Sequence, residues 1–343
     1  LHPVAHSFPT RRSSDLVSPS LTIETVASGG GSVCTYNGMK FSVGPQSAGS
    51  SPGPACYGEG GPLTITDVNL LLGRLDEDHF GIPISLERSE KAFEKLLSEH
   101  PGKISGRDAI LEGFLQIVNE KMANAIRKIS VNKGYDPSDY TLVSFGGAGG
   151  QHALDIAEML NMRTVLIPFD ASLLSALGMG HARVERFAVR QILRPLKETV
   201  GHLEEMIEIC GQEAMEAMMD EGLPEEEITL REVLLYLRFR GQETTLEIKY
   251  RKDQVLTDFR EMYIRLYGHW IEDREIELES IKVIAAEQAH EPKSSIGGLQ
   301  KYVPEPSGYQ STFLENRWQQ VPHYDWEKLD PGATLVGPCL LIS

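Results

Sequence analysis

Residues 140–160 read YTLVSFGGAGGQHALDIAEML, and the change of period halfway along this stretch decides the fold class. Tyr140 to Phe145 is a short apolar run of strand type, and Gln151 to Leu160 repeats its apolar residues at helical spacing. A further strand at Thr164 to Ile167 and a short helix from Ser172 complete strand, helix and strand within about 30 residues, which is the unit of an α/β sheet. Between strand and helix stand Gly146, Gly147, Ala148, Gly149 and Gly150. Glycines let a backbone approach a ligand closely, and the helix behind them presents free N–H groups to an anion or a polar ring. The string is neither GxGxxG nor a Walker loop with its Lys, and glycine turns between strand and helix are common, so alone it reads first as a tight structural turn. His152, at the start of the helix, could donate to a phosphate or orient a carboxylate, or simply fix the loop.

Moving toward the amino terminus, Leu21 to Ala27 is a β-branched run that ends in Gly29, Gly30, Gly31 and Ser32, and Val33 to Val43 resumes as a hairpin. Three glycines followed by a hydroxyl can form a nest of N–H donors for phosphate, or a hairpin corner. Gly44 to Gly61, crowded with Gly, Pro and Ser, reads as an ordered loop, with Cys56 as a structural thiol. Thr64 to Arg74, TITDVNLLLGR, places Asp67 at a strand–helix junction, where capping is its default role. Asp67 becomes a candidate catalytic or metal-binding group only if it faces the glycine loops. Helices follow at Leu86 to Glu99 and, after a Ser105-x-x-Asp108 capping box, through Ile110, Phe114, Val118, Met122 and Ile129.

After about Arg190 the character changes to α+β: a charged helix at Glu198 to Glu221, strands at Thr229 to Arg238 and Glu243 to Tyr250, a helix at Val255 to Tyr267 and a strand at Glu277 to Ala285. A Pro- and Gly-rich segment, Glu291 to Ser311, leads to a last strand pair. The expected division is 17–190 for the first domain and 191–343 for the second, with 1–16 a non-native leader because it has neither helical nor strand periodicity. Two domains suit 343 residues, since single cores stop growing near 250 to 300 or so. A net charge of −16 excludes a nucleic-acid or anionic-membrane surface. No apolar run spans a bilayer, and the polar stretch after Arg11 and Arg12 argues against export, so a cytoplasmic location is expected. Four scattered cysteines and no HExxH make neither a disulfide framework nor a zinc site.

Taken in order, ASGGGS, VGPQSAGSSPGPACYG, TDVNLLLGRL, FGGAGGQHALDIAEML and LLSALGMGHARV, with YLRFRGQE and VGPCLLIS further on, resemble the hydantoinase A and 5-oxoprolinase family. The resemblance runs from about Leu21 to Ser343 and is nearer the 5-oxoprolinase branch. It implies part of an actin-like ATPase core followed by a smaller α+β domain, with ATP and Mg2+ as cofactors. Gly146, Gly147, Ala148 and Gly149 would then take the adenosine side, Gly29, Gly30, Gly31 and Ser32 would approach the phosphates, and His152 would be close by. The family's opening phosphate loop, DxGGTFTD, has no counterpart here, so the chain reads as a fragment that does not hydrolyse ATP by itself. The implied reaction is hydrolytic opening of a cyclic amide, 5-oxoproline or a hydantoin, through phosphorylation of the amide oxygen. A hydantoinase B-like subunit or domain and an oligomer are the implied partners. An ATP-dependent ketone carboxylase subunit and a non-catalytic nucleotide-binding module are the alternatives.

Overall fold

The computed structural model of the chain describes residues 23–98, 106–132, 134–288 and 299–342. The leader at 1–16 and Ser105 of the expected capping box lie outside them. Strands β1 (Ser32–Tyr36) and β2 (Phe41–Ser47) form an antiparallel hairpin. The turn is set by Asn37, whose side-chain oxygen accepts from the amides of Met39 at 3.1 Å and Lys40 at 2.8 Å, the usual way Asn mimics a backbone turn. The hairpin follows the sequence reading, but residues 23–27 are not a strand, since among the described residues no second strand pairs with them.

An irregular loop, buried at Gly53 to Cys56 and at Leu63 and Thr64, leads to helix α1 (Ile65–Leu71), and helices α2 (Leu86–Ser98) and α3 (Arg107–Asn132) complete the first layer. Leu63, Ile65, Val68, Phe93 and Phe114 meet in one core with Cys34 and Val43 of the hairpin. Burying an aromatic such as Phe93 or Phe114 contributes about 2 kcal/mol relative to exposure. The next unit is β3 (Leu142–Val143), α4 (Gly150–Met159) and β4 (Val165–Leu166), with the two short strands parallel, and α5 (Leu174–Gly180) follows. Helix α3 joins the two units. Its first half, through Ile110, Phe114 and Val118, packs in the hairpin core, and Ala123 near its middle packs with Ile156 and Leu160 of α4.

The α+β unit is a four-stranded antiparallel sheet in the order β5-β8-β6-β7. Its elements are β5 (Glu185–Pro195), α6 (Leu196–Thr199), α7 (Leu203–Met219), β6 (Ile228–Phe239), β7 (Leu246–Lys249), α8 (Val255–Tyr267) and β8 (Ile276–Glu287). Helix α7 lies on β5 and β8, while Phe259 and Tyr263 of α8 pack on Phe239. Strand β5 has no counterpart in the sequence reading, and Arg190, the expected boundary, lies in the middle of it. The expected single helix at 198–221 is broken by a 3-10 turn, Val200–His202, around Gly201, a poor helix former.

The chain ends in β9 (Gly308–Leu314), β10 (Arg317–Asp325) and β11 (Leu340–Ile342), with β10 in the centre. This sheet returns to the first unit. Phe313 enters the hairpin core, its amide donates to Leu72 O at 2.9 Å, and Thr312 Oγ1 donates to Gly73 O at 2.9 Å.

Candidate functional site

The two glycine turns lie on one cavity. Ser28 and Gly29 form one side, Ser144, Phe145, Ala148 and Gly149 the other, and Met122, Leu142, His152 and Ile156 help to wall the interior. Its volume is about 310 Å³, at the lower end of the range typical of small-molecule sites. The physical reason is α3, which holds the hairpin at one end and α4 near its middle, so the turns ahead of β1 and ahead of α4 face each other. The approach is close: a Cβ on Gly30 would lie 2.8 Å from Thr66 Oγ1 and 4.0 Å from Ala148 Cβ. The first turn is closed by Ser32, whose Oγ accepts from Gly29 N at 2.9 Å and whose amide donates to Gly29 O at 2.9 Å. In the second, the Gly146 amide donates to Ala171 O at 2.7 Å, anchoring the turn to the chain after β4. The amides of Gly147 and Ala148 meet no backbone acceptor among the described residues.

Asp67 is elsewhere. It is the third residue of α1, in a capping box with Thr64 as the N-cap, so the cap expected at Asp67 belongs to Thr64. Its fully buried carboxylate accepts from the amides of Cys56, Thr64 and Ala55 at 2.7, 2.8 and 3.1 Å, and from Thr64 Oγ1 and Ser89 Oγ at 2.8 Å. A carboxylate offers about four lone-pair sites, so nothing remains for a metal or a substrate. Asp67 therefore does not fit magnesium. Among the described residues no group of three or more His, Cys, Asp or Glu is placed to hold a metal ion. The same carboxylate acts on Cys56: burial, followed by the neighbouring charge of Asp67, pushes that thiol well up, so it stays protonated and inert.

His152 does belong to the cavity. It is buried in the first turn of α4, and its Nδ1 lies 2.8 Å from Asn119 Oδ1 on α3. Asn119 Nδ2 in turn donates to Asp155 Oδ2 at 2.9 Å, and Arg74 Nη1 donates to the same oxygen at 3.2 Å. The order of this relay fixes the proton. Because Asp155 can only accept, Asn119 turns its NH2 to it and its oxygen to His152, so Nδ1 carries the hydrogen and Nε2 is a bare lone pair. Nε2 is buried with no partner among the described residues. Asn69 Nδ2 donates to Gln151 Oε1 at 2.9 Å, a second polar tie between α1 and α4.

Sequence reasoning named the glycines and His152 but not Arg74, Asn119 or Asp155. One signal was available for Asn119: it falls on the apolar stripe of α3, four residues after Leu115 and three before Met122, where a polar side chain needs a buried partner.

Burial is the main cause that holds His152 below the ordinary histidine range; Asp155 opposes the shift and Arg74 adds to it. A histidine whose folded value is depressed binds a proton more readily when unfolded. Stability is therefore full above the unfolded value of about 6.5 and is lost as the pH falls from there toward the folded value. Urea unfolding at pH 7.5 and 5.5 should show a larger loss for the wild type than for His152→Gln, and parallel losses would remove His152 as the cause.

A parallel β–α–β unit with a glycine turn at the start of its helix, sharing an open cavity with a second glycine turn, defines an α/β protein that presents backbone amides to a bound small molecule. The family model described as hydantoinase/oxoprolinase matches residues 4–187, a span that begins inside the stretch read as a non-native leader. The chain belongs to the hydantoinase/oxoprolinase family. It is 33% identical to the 5-oxoprolinase of Dictyostelium discoideum over 366 residues, covering 98% of this chain and 28% of that protein. The crystal structure of the ATP-dependent caprolactamase from Pseudomonas jessenii matches with a TM-score of 0.82 at 25% identity, over 94% of this chain and 49% of that one. A nucleotide-free acetone carboxylase matches in fold with a TM-score of 0.64 at 22% identity, over 92% of this chain and 48% of that one. The chain thus spans about half the length of the solved relatives, and the expectation of part of an actin-like α/β core followed by an α+β unit holds.

Proposed function

We propose that this chain forms one wall of the nucleotide site in an ATP-dependent enzyme that opens cyclic amides, with 5-oxoproline as the first substrate to try. The observation that carries the reading is the convergence of the two glycine turns on one cavity, Ser28 and Gly29 from the first and Ala148 and Gly149 from the second, with His152 on the same wall. The cavity fits ATP in kind: apolar side chains such as Met122, Leu142 and Ile156 for a flat ring, and the backbone of two glycine turns for polar groups. Gly146, Gly147, Ala148 and Gly149 take the adenosine side, and Gly29, Gly30, Gly31 and Ser32 lie toward the phosphates. No step is assigned to magnesium, since Asp67 does not fit it.

An unstrained amide is a poor electrophile because resonance protects its carbon and nitrogen leaves badly. Transfer of the γ-phosphoryl group to the amide oxygen, with ADP departing, removes that protection. Water then adds to the carbon, the C–N bond breaks with a proton passing to nitrogen, and a second water releases phosphate from the acyl phosphate. What the residues here contribute is orientation of the nucleotide by fixed amide dipoles.

The relatives support this reading by what they are named for, a 5-oxoprolinase and an ATP-dependent caprolactamase. We place the domain boundary ahead of Glu185, since β5 belongs to the four-stranded sheet, and assign β9 to the first unit, since Phe313 lies in its core. A partner subunit of the hydantoinase B type and a cytoplasmic location complete the proposal. Among the described residues no helix is long and apolar enough to cross a membrane.

The test is calorimetric titration of the chain with a non-hydrolysable ATP analogue, followed by assay of the full-length protein with 5-oxoproline, a hydantoin and caprolactam. Saturable binding and ATP-dependent amine release from one of these amides are expected. Binding with no ring opening of any amide would leave a nucleotide-binding module, and no binding at all would remove the reading.

A further inference from the structure

We propose that a second cavity, in the α+β unit, binds a small open-chain amino acid: an ammonium and a carboxylate joined by a short apolar chain. Ring opening of a cyclic amide leaves those two groups on one molecule, so the ligand is of the product's class. That link to the product rests on the function proposed above, whereas the charge pattern of the cavity does not.

The cavity measures about 750 Å³, within the range typical of small-molecule sites, and shares no lining residue with the one between the glycine turns. Three segments meet there: α6 with the turn into α7, the link from β7 to α8, and the residues leading into β8. Its apolar lining is the core of the unit itself. Leu196, Leu203 and Val255 are buried in the cluster that also holds Phe239 and Phe259, and Tyr250 and Ile276 pack against that cluster. A lining that is part of a packed core keeps its shape without a ligand and offers methylene groups an apolar surface.

Charges of both signs share the cavity, and pairing within the protein leaves some of each over. Glu275 is held by Lys197 at 2.9 Å and by Arg240 at 2.8 Å, and Lys252 meets Glu204 at 2.6 Å. Those pairs tie the three segments together. Asp253 and Asp273 also line the cavity, and neither carboxylate has a hydrogen bond or ion pair among the described residues. Arg274 directs Nε and Nη2 to Arg240 O at 3.2 and 2.9 Å, an uncharged acceptor, so among the described residues its Nη1 is open and its charge meets no carboxylate. A simple cation would suit the two aspartates but not Arg274, and a simple anion the reverse. A molecule carrying both signs suits all three. Among the described residues no group of acids, cysteines and histidines is placed for a metal ion instead.

Solvated surface charge is the other account of these side chains, and the two accounts differ in what they expect of ligands. Independent solvated charges favour no ligand over another, because exposed pairs contribute little singly. A site made of an apolar lining and both signs favours the ligand that engages all of it.

The experiment is calorimetric titration of the chain with 6-aminohexanoate, the ring-opened form of caprolactam, and with hexylamine and hexanoate, which each keep one of its two charges. 6-Aminohexanoate should bind saturably with a Kd of about 1 mM or tighter, and at least tenfold more tightly than either of the others. The double variant Asp253→Asn, Asp273→Asn should lose about tenfold in affinity for 6-aminohexanoate and none for hexanoate. Both aspartates have left-handed backbone angles, φ 62° and 57°, which Asn also adopts readily, so the urea midpoint of the variant should match the wild type. The comparison of the three ligands on the wild type needs no substitution and decides the matter should the variant fail to fold. Equal affinity for all three, no saturable binding, or full affinity in the double variant overturns the site and leaves the nucleotide reading untouched. The expected ligand ranking in a full-length protein that opens no amide keeps the amino-acid site and removes both its link to the product and the cyclic-amide function.

Discussion

Replacing Asp67 with Asn is expected to destabilise the protein by about 3 kcal/mol, read as a fall in the urea midpoint at unchanged slope. The side chains are nearly isosteric, so the effect isolates charge and donor count. With its amide oxygen in the place of Oδ2, Asn can still accept from the Thr64 and Ala55 amides. Its NH2 then confronts the Cys56 amide, which donates to Oδ1 at 2.7 Å in the wild type. The reverse orientation is worse, because the amides of Thr64 and Ala55 both face an NH2. Ser89 and Thr64 can rotate their hydroxyls to accept, but a backbone N–H cannot. At least one buried amide is stranded, at about 1–3 kcal/mol, and the surviving bonds lose the strength that a charged acceptor gives them. That is a large share of a stability typically near 5–15 kcal/mol.

The same experiment separates two roles for this carboxylate. An acid that serves chemistry can usually be replaced at little cost to folding, whereas one that ties Ala55, Cys56, Thr64 and Ser89 together cannot. A loss below about 1 kcal/mol would mean that the donors find water or one another, and would return Asp67 to the list of candidate reactive groups.

What the amino-acid string made legible follows from how local each signal is. Helix α8 was read from Val255 to Tyr267 and is found with those bounds, because one amphipathic helix needs only its own period and a terminal glycine. The hairpin and the β3–α4–β4 unit were legible for the same reason. Strand β5 was not, since its residues from Ala188 to Leu193 alternate between half-buried and exposed rather than between buried and exposed, and their apolar content is too even to show a period. The cap at Thr64 was misassigned to Asp67 because both residues are good caps, and only the point where the helix starts, at Ile65 behind an extended Thr64, decides between them. That two glycine turns about 120 residues apart in sequence share one cavity depends on α3 packing at both, and the relay ending at His152 depends on α3, α4 and the segment after α1 at once. Tertiary placement of this kind leaves only a faint trace, such as the lone Asn119 on an apolar stripe.

Gly149→Ala is expected to weaken nucleotide binding about 30-fold, which corresponds to roughly 2 kcal/mol. Gly149 has ordinary helical backbone angles, so the substitution meets no torsional objection. The objection is space: a Cβ there would lie 2.6 Å from Phe145 O and 2.8 Å from Ser144 Oγ. A serine hydroxyl can swing away, but the Phe145 carbonyl is backbone two residues past β3, and the turn on the cavity wall must move to make room. Overpacking of this kind typically costs 1–3 kcal/mol, and the shift displaces the amides of Gly147 and Ala148 from any position they hold against a ligand. Gly150→Ala is the control one residue on, where the nearest atom to a Cβ is Ile167 Cδ1 at 3.9 Å, an ordinary contact, and where alanine is the better helix former. It should hold affinity within about twofold and match or slightly exceed wild-type stability. If Gly149→Ala binds ATP as the wild type does, then either the turn gives without consequence or the nucleotide does not touch it. Urea unfolding of the two variants shows whether the turn has shifted, and unchanged ATP affinity beside a loss of stability would remove Gly149 from the nucleotide site.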